Sequence, residues 1–260
     1  MKRMTLAALA ATFAMGLMSA SPATAAQSET ELKHIDWSFD GPFGTFDRAQ
    51  LQRGFKIYQE VCSACHSMNL VAIRTLGQKG GPEFSDAAVK ALAAGYTISK
   101  DIDENGDVID RPGKPSDHFP APFANENAAR ASNGGALPPD FSVLAKARHG
   151  NANYIYSILT GYEEPPADVT MRTGMHYNTA FPGHQIAMAQ PIDDGMVTYD
   201  DGTEETLDQY AQDVAAFLYW AAEPKMEARN RMGFVVMIFL ILFAGLLYFT
   251  KQKLWRNVEH

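Results

Sequence analysis

The residues of this chain best suited to chemistry sit in one short string, Val61-Cys62-Ser63-Ala64-Cys65-His66, and these are the only two cysteines in 260 residues. Two thiols three positions apart lie on one side of a helical turn, so both sulfurs can bond one rigid group. A histidine directly after the second cysteine turns the spacing into C-x-x-C-H, the attachment motif of c-type haem. Cys62 and Cys65 would form thioethers with the haem vinyl groups, and His66 would present a ring nitrogen to the iron. A redox disulfide and a zinc site are the competing chemistries. The adjacent His argues against the first, and four zinc ligands are not in sight. The motif occurs once, so one haem is expected.

Iron held this way needs a sixth ligand. The candidates between the chain ends are Met68, Met171, Met175, Met188, Met196 and Met226, with His34, His118, His149, His176 and His184. Met68 is too near His66 in sequence to reach the opposite face, and Met226 adjoins a long apolar run. Met188 lies in Phe181-Pro182-Gly183-His184-Gln185-Ile186-Ala187-Met188-Ala189-Gln190-Pro191, an apolar segment stiffened by proline at both ends. That setting suits a thioether held against iron, and His/Met ligation raises a haem's reduction potential. On the residues alone Met188 leads, and His184, Met171 and Met175 stay open.

Elements must position these groups. Leu51, Phe55, Tyr58, Cys62 and Cys65 recur at intervals of four, three, four and three, the stripe of a helix over 47–64 capped by Asp47 or Thr45. Further helices are expected at 85–94, 139–148 and 151–160, each closed by a nearby glycine. A last one begins near Thr206, where Gln209 completes a capping-box spacing and Leu207, Tyr210, Val214, Phe217 and Ala221 share a face, and Pro224 is expected to kink its continuation into the membrane. Residues 100–125, rich in Pro, Gly and Asp, read as loop. Asp101, Asp103, Asn105 and Gly106 copy the start of an EF-hand loop, but the twelfth position is Pro112 where a bidentate Glu is needed, so a solvated acidic turn is the default.

The two ends are not parts of a folded domain. Residues 1–25 pair Lys2 and Arg3 with an apolar run and end in Ala23-Thr24-Ala25, the pattern of a cleaved secretory signal. Gly233 to Thr250 holds no charge and, at about 1.5 Å per residue, crosses a bilayer core once. The division expected is signal peptide 1–25, extracytoplasmic domain 26–230, transmembrane helix 231–250 and cytoplasmic tail 251–260. Basic residues flank the span equally, so the signal rather than charge puts the domain outside the cytoplasm. A multi-span channel and a cytosolic enzyme are excluded. The part between signal and tail has 17 basic and 29 acidic residues, a net −12, which repels nucleic acid and suits a basic protein partner. Glu163-Glu164, Asp193-Asp194, Asp200-Asp201 and Glu204-Glu205 would steer such a partner or simply solvate the surface.

Longer strings carry a family resemblance: residues 45–76 around the haem motif, 111–119 (RPGKPSDHF), 129–150 (ARASNGGALPPDFSVLAKARHG), 156–166 (YSILTGYEEPP) and 181–192 (FPGHQIAMAQPI), followed by one apolar span. Together they resemble the cytochrome c1 family of bacterial type, the haem subunits of ubiquinol-cytochrome c reductase (the cytochrome bc1 complex). The resemblance implies a mainly α fold, an enlarged class I cytochrome c-like haem domain with long loop insertions and one C-terminal transmembrane helix. His66 and Met188 are 122 positions apart, room for such insertions. It assigns Cys62 and Cys65 to covalent attachment, His66 to the proximal and Met188 to the distal ligand. Asn133, Ala136, Pro138, Pro139, Tyr154, Ile158, Phe181, Ile186 and Pro191 would line the haem crevice, where core packing alone would also account for them. Arg148 would pair with a haem propionate. Where the family often has NNGALPPD, this chain reads Asn133-Gly134-Gly135, and a local backbone change is expected. Some bacterial relatives brace the segment before the axial Met with a disulfide for which this chain has no cysteines.

The resemblance further implies an electron-transfer subunit in a bacterial inner membrane, its haem domain on the periplasmic side and no substrate chemistry of its own. It would accept an electron from a Rieske iron-sulfur protein and pass it to a cytochrome c, with cytochrome b as a partner, in a complex that is a homodimer. A stand-alone membrane-anchored cytochrome c carrier is one alternative, separated by co-purification with cytochrome b. A thiol-disulfide oxidoreductase is the other, excluded by covalent haem.

Overall fold

The computed structural model describes residues 30–257, so the signal peptide expected at 1–25 lies outside the described residues. Six helices organise the rest: α1 (Arg48–Glu60), α2 (Asp86–Ala94), α3 (Glu126–Ser132), α4 (Ala152–Leu159), α5 (Leu207–Ala222) and α6 (Met226–Trp255). Strands β1 (Thr97–Ile102) and β2 (Val108–Pro112) form one antiparallel hairpin, and β3 (His176–Tyr177) and β4 (Gln185–Ile186) a very short second one.

The core is the crossing of α1 and α5. Asp47 caps α1 as expected, its Oδ1 accepting from the backbone N–H of Ala49 at 2.9 Å and Gln50 at 3.2 Å. The stripe then buries Leu51, Gly54, Phe55, Ile57 and Tyr58, while α5 buries Tyr210, Val214, Phe217 and Leu218. The helices meet at Gly54, where an added Cβ would stand 2.1 Å from the Asp213 carbonyl oxygen and 2.7 Å from the Phe217 Cβ. Only glycine permits that approach, and the Phe217 ring then packs edge-on against Phe55 at 5.6 Å. Each such apolar side chain removed from water contributes about 1.5–3 kcal/mol before cavity effects. α4 packs on α5 from another side through Ile155, Tyr156 and Leu159.

Sequence expectations hold for α2, with Ser85 at its N-cap and Gly95 at its end, and for α4. Thr206 caps α5, accepting from Gln209 N–H at 3.3 Å, but the Gln209 side chain turns forward to Asp213 instead of back, so the capping box is half formed. Three expectations fail. Residues 139–148 are consecutive turns, not a helix, because the Asp140 side chain takes the N–H of Ser142 and Asn69 and so competes with helical hydrogen bonding. The segment 100–125 contains the β1–β2 hairpin, whose turn is fixed by Asp103 Oδ1 accepting from Asn105 N–H at 2.8 Å and Asp107 N–H at 2.9 Å. The EF-hand-like residues are thus turn formers. Pro224 does not kink a continuous helix: α5 ends at Ala222, Glu223 caps it, and α6 starts afresh at Met226.

α6 has a mean hydropathy of 2.6 over its most apolar window, none of it buried in the protein. That is the surface of a helix meant for lipid. It is tied to the haem-motif helix near its start, where Glu227 accepts from both terminal nitrogens of Arg48 at 2.8 Å and from Phe46 N–H at 2.8 Å.

Candidate haem site

α1 ends at Glu60, four residues short of the expected boundary, and Cys62–Ala64 continue as one turn of 3₁₀ helix. The Cys62 carbonyl accepts from both Cys65 N–H at 3.1 Å and His66 N–H at 2.9 Å. In a 3₁₀ turn positions i and i+3 eclipse, so the tighter helix places the two cysteines on one side more closely than an α-turn would. Both thiols are free, Cys62 partly buried and Cys65 exposed. Burial, with the neighbouring Cys65 adding to it, pushes the Cys62 thiol up to about 12. A thiol-disulfide catalyst needs the reverse, an easily formed thiolate, and these surroundings oppose it.

His66 is 9% exposed and oriented on two sides. Its Nδ1 donates to the Pro139 carbonyl at 2.9 Å, and its ring stacks on Phe141 with centroids 4.0 Å apart and planes 19° from parallel. A carbonyl can only accept, so Nδ1 carries the proton and Nε2 keeps its lone pair for a metal. Burial lowers the pKa of His66, outweighing the opposing effects of the Pro139 hydrogen bond and the Asp140 charge, which keeps the ring neutral as a ligand must be. Asp140 braces the strap below the ring, accepting from Ser67 Oγ at 2.8 Å and Asn69 N–H at 2.9 Å. Pairing a ligand histidine with a carbonyl acceptor is the usual second support of a metal site.

Met188 packs, half-buried, against a separate apolar cluster. Ile158, Ala180 and Ile186 are buried there, with Tyr154, Phe181, Met188, Leu32 and Tyr162 packed against them. Five of the sequence-designated residues, Tyr154, Ile158, Phe181, Ile186 and Met188, therefore converge, and Tyr154 also packs on the main core. The Tyr162 hydroxyl donates to the Met188 carbonyl at 3.0 Å. Asn178, fully buried, accepts through Oδ1 from Ala180 and Phe181 N–H and donates to the Ile158 carbonyl. These bonds stiffen the segment before Met188 in the absence of a disulfide. Asn178, Tyr162 and Phe141 were not singled out from sequence; the last two lie within matched strings but carry no ligand chemistry of their own.

The remaining designated residues are placed unevenly. Ala136, Pro138 and Pro191 are half-buried, and Pro139 contributes its carbonyl while its ring is exposed. Asn133 ends α3, its side-chain amide donating to the Ala129 carbonyl at 2.7 Å. Gly134 and Gly135 both take positive φ, +60° and +91°, so the Gly-Gly sequence supplies a left-handed pair of residues where a turn is made. Arg148 is exposed and donates only to the adjacent Ala147 carbonyl among the described residues. Among the competing ligands, Met196 accepts through sulfur from Asp193 N–H, Met68 is fully buried in the core, and Met171 and Met175 line a cavity of about 410 Å³ with His176 and Tyr162. His184 Nδ1 lies 3.2 Å from the Asn178 carbonyl.

The acidic clusters are mostly used within the fold: Asp201 pairs with Arg53, Asp194 accepts from Leu207 N–H, and Glu205 from Tyr199 N–H. Glu163 and Glu164 remain exposed. The donor set fits haem c: two thiols on one turn, a neutral imidazole with one nitrogen free, and a thioether in an apolar cluster. Beyond this, no group of three or more His, Cys, Asp or Glu among the described residues is placed to hold a metal ion.

Comparison with known proteins agrees. The profile of the Cytochrome C1 family matches residues 37–258. Cytochrome c1 of Rhodospirillum rubrum is 45% identical, the alignment covering 95% of this chain and 95% of that protein. The mitochondrial cytochrome c1, heme protein, of Saccharomyces cerevisiae is 45% identical over 93% of this chain and 78% of its own length. The protein named cytochrome b/c1 of Bradyrhizobium diazoefficiens is 48% identical over 96% of this chain, which spans only 39% of that longer protein. The chain belongs to the cytochrome c1 family, the haem c-bearing electron-transfer subunits of the cytochrome bc1 complex.

Proposed function

We propose that this chain takes one electron from a Rieske iron-sulfur protein and passes it to a cytochrome c, working beside cytochrome b in a homodimeric complex. The observation that carries the reading is the preset His66 imidazole, held by Pro139 and Phe141 one residue after the paired thiols. Bound there, haem c supplies a one-electron iron couple. Cys62 and Cys65 would hold it covalently, and His66 Nε2 and Met188 would ligate its iron. Tyr154, Ile158, Phe181, Ile186, Pro191, Asn133, Ala136, Pro138 and Pro139 would line its crevice and exclude water from it. That exclusion and the thioether both favour a high potential. Arg148 would pair with a propionate, its exposed side chain turning from the Ala147 carbonyl to the carboxylate.

The partner cytochrome b is supported by the relative whose name joins b to c1. The net acidity favours a basic cytochrome c. α6 anchors the chain, residues 1–25 direct export and are removed, residues 26–230 face the periplasm of a bacterial inner membrane, and 251–260 stay in the cytoplasm. Purification through a tag on this chain tests the assembly: haem bound covalently to it should appear with cytochrome b and the Rieske protein, and a haem-bearing chain that purifies alone would favour the stand-alone carrier.

A further inference from the structure

We infer that the turn Gly41–Gly44 is a second membrane contact, seating the Phe43 ring in the lipid headgroup and upper acyl region beside α6. Phe43 is 78% exposed, by far the most exposed phenylalanine outside α6 among the described residues. An aromatic ring left in water at the corner of a turn calls for an occupant, and its neighbours identify one. The ring lies edge-on to Phe234, centroids 6.0 Å apart at 67°. Phe234 is the second residue of the uncharged run 233–250, so it occupies the first turn of α6 to enter hydrocarbon, just past Arg229 and Arg231. A ring in contact with it stands at the same depth. The apolar surface of Phe43 is thereby continuous with that of the spanning helix, and the occupant is lipid.

The position is fixed rather than accidental. The Gly44 N–H meets the Gly41 carbonyl at 3.4 Å, Gly41 takes φ +76°, and a Cβ on Gly44 would fall 2.2 Å from the Phe39 backbone, so Pro42 and Phe43 are presented at the corners of a defined turn. Asp40, the nearest acid in sequence, turns its carboxylate back to the Trp37 N–H at 3.3 Å. On the haem-domain side of the turn, the two-pronged Arg48–Glu227 pair locks the angle between α1 and α6. Two points of contact, span and turn, would hold the haem domain at one tilt over the bilayer, where a single helix would let it swivel. Aromatic residues at this level are the usual interfacial anchors.

The inference rests on α6 crossing the bilayer, and the test separates the two. In the haem-loaded full chain Cys62 and Cys65 are consumed in thioethers, so a single introduced cysteine takes a nitroxide label specifically. Phe43→Cys, Ile241→Cys and Glu104→Cys, each reconstituted in phosphatidylcholine vesicles, would be compared by collision with oxygen, which concentrates in lipid, and with a water-soluble nickel chelate. The oxygen-to-nickel ratio at position 43 should be several-fold above that at 104, in the hairpin tip, and below that at 241, in mid-span. A ratio at 43 equal to that at 104 would overturn the contact while a high value at 241 upholds the span. A low value at 241 would overturn both. A label at 43 that is immobile and shielded from both reagents would mean a protein surface covers the turn, and would also overturn the lipid assignment. Should Phe43→Cys fail to incorporate haem, Pro42→Cys reads the same turn.

Discussion

Arg53 of α1 grips Asp213 of α5 with two nitrogens, Nε at 2.8 Å and Nη2 at 3.1 Å, and the Asp213 side chain is wholly buried. The Tyr199 hydroxyl at 2.8 Å and the Gln209 amide at 2.9 Å complete its hydrogen bonds. One residue further along α1, Gly54 lies against the Asp213 carbonyl, so the same residue serves the crossing with both its backbone and its side chain. Removing the Asp213 carboxylate leaves Arg53 with Asp201 as its remaining partner and strands the Tyr199 and Gln209 donors, a loss of buried hydrogen bonding that costs about 1–3 kcal/mol. Asp213→Ala should lower thermal stability by that order, read from loss of the haem band in detergent-solubilised protein, whereas exchange of the exposed Asp200 should change little. Equal stability of Asp213→Ala and the parent would show that the pair is not what holds α1 on α5.

Gly54→Ala probes the same crossing sterically. Its Cβ cannot be accommodated without parting the helices, an overpacking penalty of roughly 1–3 kcal/mol or more. Because α1 leads directly into the cysteine turn, the variant should also broaden the redox titration or lower haem yield. An ordinary alanine effect on helix propensity would stabilise instead, so the sign of the measured change decides.

The β1–β2 hairpin is held at its base by Asp117, which accepts from both terminal nitrogens of Arg111 at 2.7 and 3.0 Å and from Lys114 N–H at 2.7 Å. The Arg111 hydrogen bonds, then that from Lys114, hold its carboxyl down at about 2, against an ordinary aspartate value near 4. A depressed carboxylate stabilises the fold fully above its unfolded value and loses that contribution as pH falls through the folded one. Amide exchange in residues 97–112 should therefore accelerate between about pH 4 and 2 relative to α1, and Asp117→Asn should shrink that step, leaving the part due to Asp101 and Asp103, whose carboxyls are also held low. A hairpin whose protection is flat with pH in the parent would contradict the assignment.

Cys62→Ala and Cys65→Ala should each impair covalent attachment, seen as weaker haem staining after denaturing electrophoresis. Stable, normal incorporation in both would refute the proposed thioethers. The raised pKa of Cys62 adds a second expectation: before haem attachment its thiol should alkylate slowly at neutral pH, unlike the reactive thiol of a disulfide exchange catalyst.

Much of this was legible in sequence because strong local rules agree there. The C-x-x-C-H spacing, the α1 stripe with Asp47 before it, the Ser85 and Thr206 caps, and the uncharged run of α6 each follow from periodicity and end chemistry. The turns at 139–148 were not legible, since apolar spacing favours a helix while Asp140 spends its carboxylate on backbone N–H groups across the loop. The hairpin was hidden by its composition: Gly, Asp and Asn mark the turn, but the exposed, partly charged strands lack clean alternation. Within the site, His66 could be named from sequence, but its acceptor could not. That acceptor is a backbone carbonyl 73 positions away, and side-chain type says nothing about where a carbonyl will stand.

The central claim, a single covalent haem c between His66 and Met188, is tested most directly by a redox titration of the haem-loaded chain beside Met188→Leu, followed at the reduced α-band. The parent should show a clearly positive midpoint. Met188→Leu should keep its haem covalently and fall by on the order of 0.2 V, a fraction of the roughly 0.8 V range that axial ligation covers. A low parent midpoint, or one unchanged in Met188→Leu, would contradict the ligation and move the sixth ligand to another residue.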